Sequence, residues 1–200
     1  MIPVLPQPAP SDFDTKVRLP GLKWLKGKSI PLNAPAPKGI VFKAYWSKTQ
    51  KELWDAYKGT CAYLCIYFEW PLGASSTDHF VAKSQDAGQT YEWGNYRLSC
   101  LGMNRNKGKF DDILDPFTIQ PNTFVLNFAS GKVSPNPDPA FQSMYQQAQK
   151  TIDRLILNDP ETQKMRVKHF DYYLTKQVTA EFLRNHSPFV WYEAQRQNLL

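Results

Sequence analysis

Hydrophobic and polar residues alternate with two different periods along the chain, and together the two periods predict an α+β fold. Residues 76–80 and 95–100 alternate in the manner of short strands, and a polar loop containing Gly88 separates them. The apolar and aromatic residues 60–70 are predicted to lead into the first strand. A short helix is predicted directly after the second strand, so that the segment runs strand, loop, strand, helix.

A longer helical pattern precedes this segment. Residues 42–58 have apolar side chains at helical spacing, which predicts a helix with one apolar face. Ser47 and Gln50 have the spacing of a capping box, and Gly59 predicts the C-terminal end. The aromatic side chains of this helix are predicted to pack in the core rather than to stack on nucleotides.

The last third of the chain predicts a hairpin followed by helices. Residues 123–133 read T-F-V-L-N-F-A-S-G-K-V, with a Ser-Gly turn signal after the first apolar run. Asp138 and Asp159 each precede a proline, which is typical of a helix cap followed by the first helical position. The second of these helices is predicted over about 160–184, and a short last helix over 188–197.

Residues 1–38 differ from the rest of the chain in proline content. They contain eight of the 16 prolines, and because proline lacks an N–H and fixes φ, this arm is predicted to be extended, without a helix. The predicted organisation is an extended proline-rich arm over 1–38, a core over 39–135, and a helical C-terminal extension of the same domain over 136–200. A chain of 200 residues suffices for one such domain with a sizeable core.

Composition and charge narrow the class of protein. With 42% hydrophobic and 21% charged residues, the chain is typical of soluble globular proteins, and no apolar run approaches the roughly 18–20 residues of a membrane span. The first ten residues lack the basic start of a signal peptide, so the sequence predicts a cytoplasmic protein. A net charge of +6 favours a polyanionic partner such as DNA, with a simply solvated basic surface as the alternative.

Three polar anchors stand out between residues 77 and 109. Asp78 and His79 are adjacent, Asn95 follows His79 by sixteen residues, and Asn104 follows Asn95 by nine. The flanking text reads Cys-Ala-Tyr before the first strand, then Asp-His-Phe-x-x-Lys-Ser, Glu-Trp-x-Asn-Tyr-x-Leu-x-Cys and Asn-x-x-Lys-Gly. Together the pattern D-H…N…N-x-x-K resembles the HNH endonucleases, in particular the subgroup of bacterial defence operons that includes the HNH subunit of the Septu antiphage system.

This resemblance, over about residues 42–135, implies a ββα-metal core in which a hairpin and a helix hold one metal ion. It implies hydrolysis of phosphodiester bonds in DNA, leaving 5′-phosphate and 3′-hydroxyl ends. It also implies a role as the nuclease effector of an antiphage complex with an ATPase partner subunit. A catalytically silent binding or recruitment subunit is one alternative, and an RNase on the same core is another.

The chemistry of each anchor suits phosphodiester hydrolysis. Asp78 and Asn104 offer a carboxylate and an amide oxygen, hard ligands that favour Mg²⁺ or Mn²⁺ with water and phosphate completing the shell. His79 suits a general base because its unperturbed pKa is about 6.5. Since neighbours on a strand point to opposite faces, the strand is predicted to end or twist at Asp78 and His79. By the resemblance, Asn95 binds loop backbone and keeps the imidazole aimed.

Four basic residues near the anchors are candidates for phosphate contacts: Lys107, Arg105, Lys83 and Lys109. Lys107 lies one helical turn after Asn104 and on the same face, where it can hold a phosphate as a point charge. The other three are candidates for outer phosphate contacts.

The cysteines depart from the pattern of the HNH family. Relatives carry two C-x-x-C pairs that bind a structural zinc, whereas here Cys61 and Cys65 are separated by three residues and the second pair reads Cys100-Leu-Gly-Met103. A tetrahedral zinc site needs four nitrogen or sulfur ligands. We therefore expect no structural zinc. Three cysteines without a secretion signal also argue against a disulfide framework.

Overall fold

The computed structural model describes residues 1–200 and shows a mixed α+β protein with seven α-helices and two small antiparallel sheets. The predicted α+β class is confirmed. None of the helices combines the length and the apolar character of a membrane-spanning segment. The strands are β1 (Ser75–His79), β2 (Tyr96–Cys100), β3 (Phe124–Leu126) and β4 (Val133–Pro135). The helices are α1 (Leu19–Gly27), α2 (Gln50–Ala56), α3 (Leu101–Lys107), α4 (Gln142–Leu155), α5 (Pro160–Leu174), α6 (Ala180–His186) and α7 (Pro188–Arg196).

The chain is divided between two compact units. Unit 1 consists of Met1–Leu5, Thr60–Phe68 and Asp112–Leu200, and unit 2 consists of Pro6–Gly59 and Glu69–Asp111. The chain therefore passes between the units four times, whereas the sequence predicts three consecutive segments. The apolar run before the first strand, expected to lead into it, belongs instead mostly to unit 1.

The centre of unit 2 is the hairpin of β1 and β2, which α3 follows without a linker. The strands pair antiparallel, with Ser75 opposite Cys100 and His79 opposite Tyr96. All five residues of β1 are buried, so a charged residue such as Asp78 is carried into the interior. The predicted order of strand, loop, strand and helix is confirmed, and the strand limits lie within one residue of the predicted ones.

A helix in the proline-rich arm corrects the prediction for residues 1–38. Asp14–Arg18 forms a π-helical turn that continues into α1, with Pro20 near the start of that helix. Burial of Val17 and Leu25 stabilises the helix. The prediction of an arm without a helix was wrong, because a single proline at position 20 does not prevent a helix whose apolar side chains are buried.

The α-helix within residues 42–58 is shorter than predicted and covers only Gln50–Ala56. A 3₁₀ turn at Tyr45–Thr49 leads into α2. The Ser47 hydroxyl donates to the Ala44 carbonyl at 2.7 Å and does not cap α2, so the predicted capping box is wrong. Gly59, with a φ of 64°, lies just beyond the helix, close to the predicted stop.

Unit 1 combines the hairpin of β3 and β4 with α4 to α7. Asp138 accepts a hydrogen bond from the Ala140 N–H at 2.9 Å, and Asp159 accepts from first-turn N–H groups of α5, which confirms both predicted caps. The prediction of a single helix over about 160–184 is wrong. The segment is two helices, α5 and α6, because Thr179 caps a second helix start.

Candidate active site

A cleft of about 670 Å³ lies at the end of the β1–β2 hairpin in unit 2. Its walls are the loop 35–42, the end of β1 with the turn after it, and the C-terminal part of α3 with the residues that follow. Five of the predicted site residues line it: Asp78, His79, Lys83, Asn104 and Lys109. The other three lie outside its lining: Asn95, Lys107 and Arg105.

Strand β1 and helix α3 face each other through matched pairs of side chains. Ser76 and Asp78 lie on one face of β1 because side chains alternate along a strand. Asn104 and Lys107 lie one turn apart on α3. The Asn104 amide nitrogen donates to the Ser76 hydroxyl, and the Lys107 ammonium lies 3.2 Å from Asp78 Oδ1. These two contacts hold Asn104 and Asp78 on neighbouring walls of the cleft.

The ion pair of Asp78 and Lys107 is almost completely removed from water. The Asp78 side chain is 2% exposed and the Lys107 side chain 0%. Lys107 also donates to the carbonyl of His79 at 2.9 Å. Lys107, expected to hold a phosphate, therefore balances the Asp78 charge inside unit 2 and does not face the cleft. A buried carboxylate requires such a partner because an unpaired charge is unstable in a medium of low dielectric constant.

His79 is the last residue of β1, where the sequence predicts that the strand ends or twists. Its Nε2 lies 2.9 Å from the Thr90 carbonyl oxygen, and its ring centroid lies 4.8 Å from that of Trp46 and 5.1 Å from that of Tyr96. A carbonyl oxygen only accepts, so Nε2 carries the proton and the lone pair of the neutral imidazole is on Nδ1. His79 is 6% exposed and lines the cleft, so Nδ1 is the nitrogen that can accept a proton there.

Burial and neighbouring charge keep the His79 imidazole neutral. Burial is the main reason that its pKa falls from 6.5 to about 3, and the Lys83 and Lys107 cations lower the pKa further. The hydrogen bond to Thr90 opposes this shift. At neutral pH the ring keeps its lone pair, but a pKa of about 3 makes it a much weaker base than an ordinary imidazole. The expected match between the His79 pKa and neutral pH is therefore wrong.

The metal-free protein is expected to lose stability as the pH falls from 6.5 towards about 3. In that window the unfolded chain binds a proton at His79 that the folded protein does not, so the free energy of unfolding rises with pH and reaches its full value above 6.5. At about 1.4 kcal/mol per pKa unit, the loss amounts to several kcal/mol. Urea denaturation at a series of pH values, with chelator present, measures it.

The control for this pH dependence is His79→Gln, which keeps an N–H donor for Thr90 and does not titrate. The difference in unfolding free energy between the wild type and this variant should vary with pH. A constant difference across the window would show that His79 titrates alike in the folded and unfolded chains.

Asn95 closes the loop between the two strands. Its Oδ1 accepts from the Val81 N–H at 2.8 Å, and its Nδ2 donates to the Val81 and Gln89 carbonyls at 3.0 Å each. Both ends of the amide are thus bonded to the loop that presents the Thr90 carbonyl to His79. Asn95 acts on the imidazole through this loop, as a positioning residue.

The lining of the cleft is positively charged. It contains Lys38, Lys83 and Lys109, and Asp78 is its one acidic residue. Burial lowers the pKa of Lys83, with the Asp78 carboxylate opposing the shift. Thr77 also lines the cleft and has a buried hydroxyl without a hydrogen-bond partner. A phosphate group would balance the positive charge of the lysines.

The donors in the cleft suit a weakly held hard cation. Asp78 supplies a carboxylate and Asn104 an amide oxygen, since the Asn104 nitrogen is bonded to Ser76. The protein has no cluster of three or more His, Cys, Asp or Glu residues that could hold a metal ion. Two oxygen donors fit Mg²⁺ or Mn²⁺, which keep several waters and bind substrate phosphate. Because Lys107 contacts the same carboxylate, a cation there competes with the ammonium.

The cysteines are free thiols divided between the units. Cys61 and Cys65 are buried in unit 1, and Cys100, at the end of β2, belongs to unit 2. The expected lack of a structural zinc stays a prediction, which metal analysis of the purified protein can test.

Two parts of the cleft were missed by the sequence-based prediction. The loop 35–42 forms one wall and contributes Lys38, although part of it was assigned to the extended arm. Trp46, assigned to a helix core, packs on His79 and has the Lys83 ammonium 4.4 Å from its ring centre. A run of lysines without an acidic residue in this region was the available sign of a functional surface.

Among known proteins, no family model matches this sequence and no curated protein does so. The function is therefore inferred from the geometry and chemistry of the cleft and from the motif that led to it.

Proposed function

We propose that this protein is a metal-dependent HNH endonuclease that hydrolyses phosphodiester bonds in DNA. The observation that carries the proposal is the meeting of Asp78, His79 and Asn104 in one positively charged cleft, at the end of a hairpin followed directly by a helix. This order of elements supports the HNH ββα-metal core that the motif implies. The tautomer of His79, with its lone pair on Nδ1, supports its role as the base.

In this proposal, different side chains of the cleft bind the phosphate and accept the proton. Lys83 and Lys109 bind the oxygens of the phosphodiester. His79 Nδ1 takes a proton from a water molecule as the water oxygen forms its bond to phosphorus. The bond between phosphorus and the 3′ oxygen breaks, and the 3′ oxygen takes up a proton from solvent, which leaves 5′-phosphate and 3′-hydroxyl ends.

The proposed cation is held by Asp78 and Asn104. When bound, it supplies stabilisation of the negative charge on the phosphoryl and leaving oxygens. Asp78, on β1, and Asn104, on α3, are the two residues that would hold it.

The motif resemblance extends the proposal to a biological role. The protein would be the nuclease effector of a cytoplasmic bacterial antiphage complex and would work with an ATPase partner subunit. This part of the proposal rests on the resemblance alone, and co-purification with the product of a neighbouring gene tests it.

A catalytically silent binding subunit is the second candidate. It is favoured by the ion pair between Asp78 and Lys107, because an ammonium already neutralises the carboxylate that would hold a cation. In that case the cleft lysines bind nucleic acid without hydrolysing it.

Cleavage assays on single-stranded DNA, plasmid DNA and RNA, with Mg²⁺ or Mn²⁺, test the proposal. We expect the wild type to nick DNA in a metal-dependent reaction that EDTA abolishes. Asn104→Leu should lose most of this activity, because it removes an oxygen ligand without disturbing the buried ion pair. Asn106→Leu, the same change on the same helix but outside the cleft, is the matched control and should retain activity.

Calorimetry with Mn²⁺ separates the two candidates. Mn²⁺ binding that Asn104→Leu weakens supports the enzyme. Neither Mn²⁺ binding nor cleavage by the wild type would favour the silent subunit, and equal cleavage by the two leucine variants would remove Asn104 from the site. Cleavage of RNA alone would replace DNA as the proposed substrate.

A further inference from the structure

Basic and aromatic residues continue from the rim of the cleft along the chain that precedes α2. We call this surface the lysine–aromatic strip and define it as Phe42, Lys43, Tyr45, Trp46 and Lys48. From position 38 to position 51 the chain contains four lysines and no acidic residue. The strip belongs entirely to unit 2, as does the cleft.

The strip is continuous with the cleft through direct contacts. Phe42 is itself a lining residue. Lys83, also a lining residue, has its ammonium 4.4 Å from the centre of the Trp46 ring. Trp46 in turn packs edge-on against His79. A chain-like ligand that leaves the cleft past Phe42 or Lys83 therefore meets the strip next.

Two lysine ammonium groups of the strip make cation–π contacts with one aromatic ring. The Lys43 and Lys48 ammonium groups lie 5.1 and 5.3 Å from the centre of the Tyr45 ring. Both lysines are exposed and the Tyr45 side chain is partly exposed. Cation–π contacts at exposed sites are weak, about 0.5–1 kcal/mol, so either ammonium can move from the ring to a phosphate. The ring is then open for a base to stack on it.

The nearest acidic residues along the chain already have partners. Glu52 bonds to Lys16 and Asp55 bonds to Lys51. They therefore offset charges outside the strip, and the strip keeps a net positive charge. Alternating cationic and aromatic side chains are typical of surfaces that bind the backbone and bases of a nucleic-acid strand.

The reacting side chains lie inside the cleft, which favours a single strand over a duplex as the ligand. His79 is 6% exposed and Asp78 is 2% exposed, and the loop 35–42 forms another wall of the cleft. A phosphate that reaches these groups has to enter between the walls, which a flexible strand does more easily than a rigid duplex. Bases of a single strand are also unpaired and can stack on Tyr45.

We propose that the lysine–aromatic strip binds single-stranded nucleic acid and leads it into the cleft, with Lys43 and Lys48 on phosphates and Tyr45 stacked on a base. This inference deepens the proposed nuclease function and rests on it for the path of the strand into the cleft. Binding to the strip itself requires neither a metal ion nor hydrolysis.

Fluorescence anisotropy with labelled oligothymidylate, oligouridylate and a DNA duplex, all in EDTA, tests the proposal. We expect both single strands to bind more tightly than the duplex. The double variant Lys43→Ala, Lys48→Ala should bind single strands about tenfold more weakly at low salt, and the slope of log affinity against log salt should become shallower by about 1.4, since each phosphate contact on a single strand contributes about 0.7. Tyr45→Leu should weaken binding without changing this slope.

The matched control is Lys164→Ala, Lys168→Ala, which removes the same charge from unit 1, where Lys168 also lies 5.4 Å from the centre of a tyrosine ring. It should bind like the wild type. An equal loss in both double variants, or a duplex that binds as tightly as the single strands, would overturn the proposal. EDTA prevents metal-dependent cleavage in this assay. The binding result therefore tests the strip even if the protein proves not to be a nuclease.

Discussion

Replacing Lys107 with methionine is expected to lower the free energy of unfolding of the metal-free protein by about 3–5 kcal/mol. Methionine keeps much of the aliphatic stem but leaves the buried Asp78 carboxylate without the cation that lies 3.2 Å away. The His79 carbonyl also loses its donor. The loss is large because a charge without a partner remains inside the protein. Urea denaturation in EDTA, followed by circular dichroism, measures it.

Two comparisons isolate the buried pair. Lys51→Met breaks an exposed pair with Asp55, and such surface pairs contribute only about 0–1 kcal/mol. The double variant Asp78→Asn, Lys107→Met removes both charges and should recover much of the stability. If Lys107→Met were as stable as Lys51→Met, Lys107 would not be balancing a buried charge.

The same variant links stability to the proposed metal site. With the ammonium removed, a divalent cation at Asp78 no longer meets a competing charge. A cation that binds only the folded state stabilises it in proportion to its affinity. Mg²⁺ or Mn²⁺ should therefore raise the melting temperature of Lys107→Met more than that of the wild type. Equal increases in both proteins would place any metal site away from Asp78.

Cleavage by His79→Gln is expected to be about 10²–10⁴-fold slower than cleavage by the wild type. Glutamine offers an amide donor to the Thr90 carbonyl, which the imidazole Nε2 approaches to 2.9 Å. It has no basic nitrogen in place of Nδ1, so the attacking water loses its proton acceptor. Single-turnover cleavage of single-stranded DNA with Mn²⁺ measures the rate, and thermal melting verifies that the variant is folded.

His169→Gln is the matched control for this rate. His169 is a partly buried histidine of α5 in unit 1, with its Nδ1 bonded to the Ser187 hydroxyl. Its replacement should leave the cleavage rate unchanged. The rate of the wild type should also show no inflection near pH 6.5, because burial lowers the His79 pKa to about 3. Equal rates for the wild type and His79→Gln would exclude His79 as the base.

The parts of the fold that could be predicted depend on residues close together in sequence. The caps at Asp138 and Asp159 need only the aspartate, the proline and the next turn, and both are present. The helix across Pro20 was not predictable in this way, because its stability comes from burying Val17 and Leu25 against distant parts of unit 2. The assignment of Thr60–Phe68 to unit 1 likewise depends on long-range contacts that no local pattern reports.

In the candidate site, too, the features that depend on sequence spacing were predictable and those that depend on tertiary contacts were not. The spacing of Asp78, His79 and Asn104 predicted that they meet, and all three line one cleft. Helical periodicity predicted that Lys107 shares a face with Asn104, but not that a buried carboxylate lies opposite. Trp46 was assigned to the core because an aromatic residue at helical spacing has the same pattern beside a core and beside an active site.

The passage of the chain back and forth between the units has a consequence for synthesis on the ribosome. All of unit 2 lies within residues 6–111, so the segments that form the cleft are translated together and can fold early. Unit 1 needs Met1–Leu5 and Thr60–Phe68 but is complete only with Asp112–Leu200. Two apolar pieces of unit 1 therefore emerge long before their partners, and the nascent chain can expose them to chaperones until Asp112–Leu200 is translated.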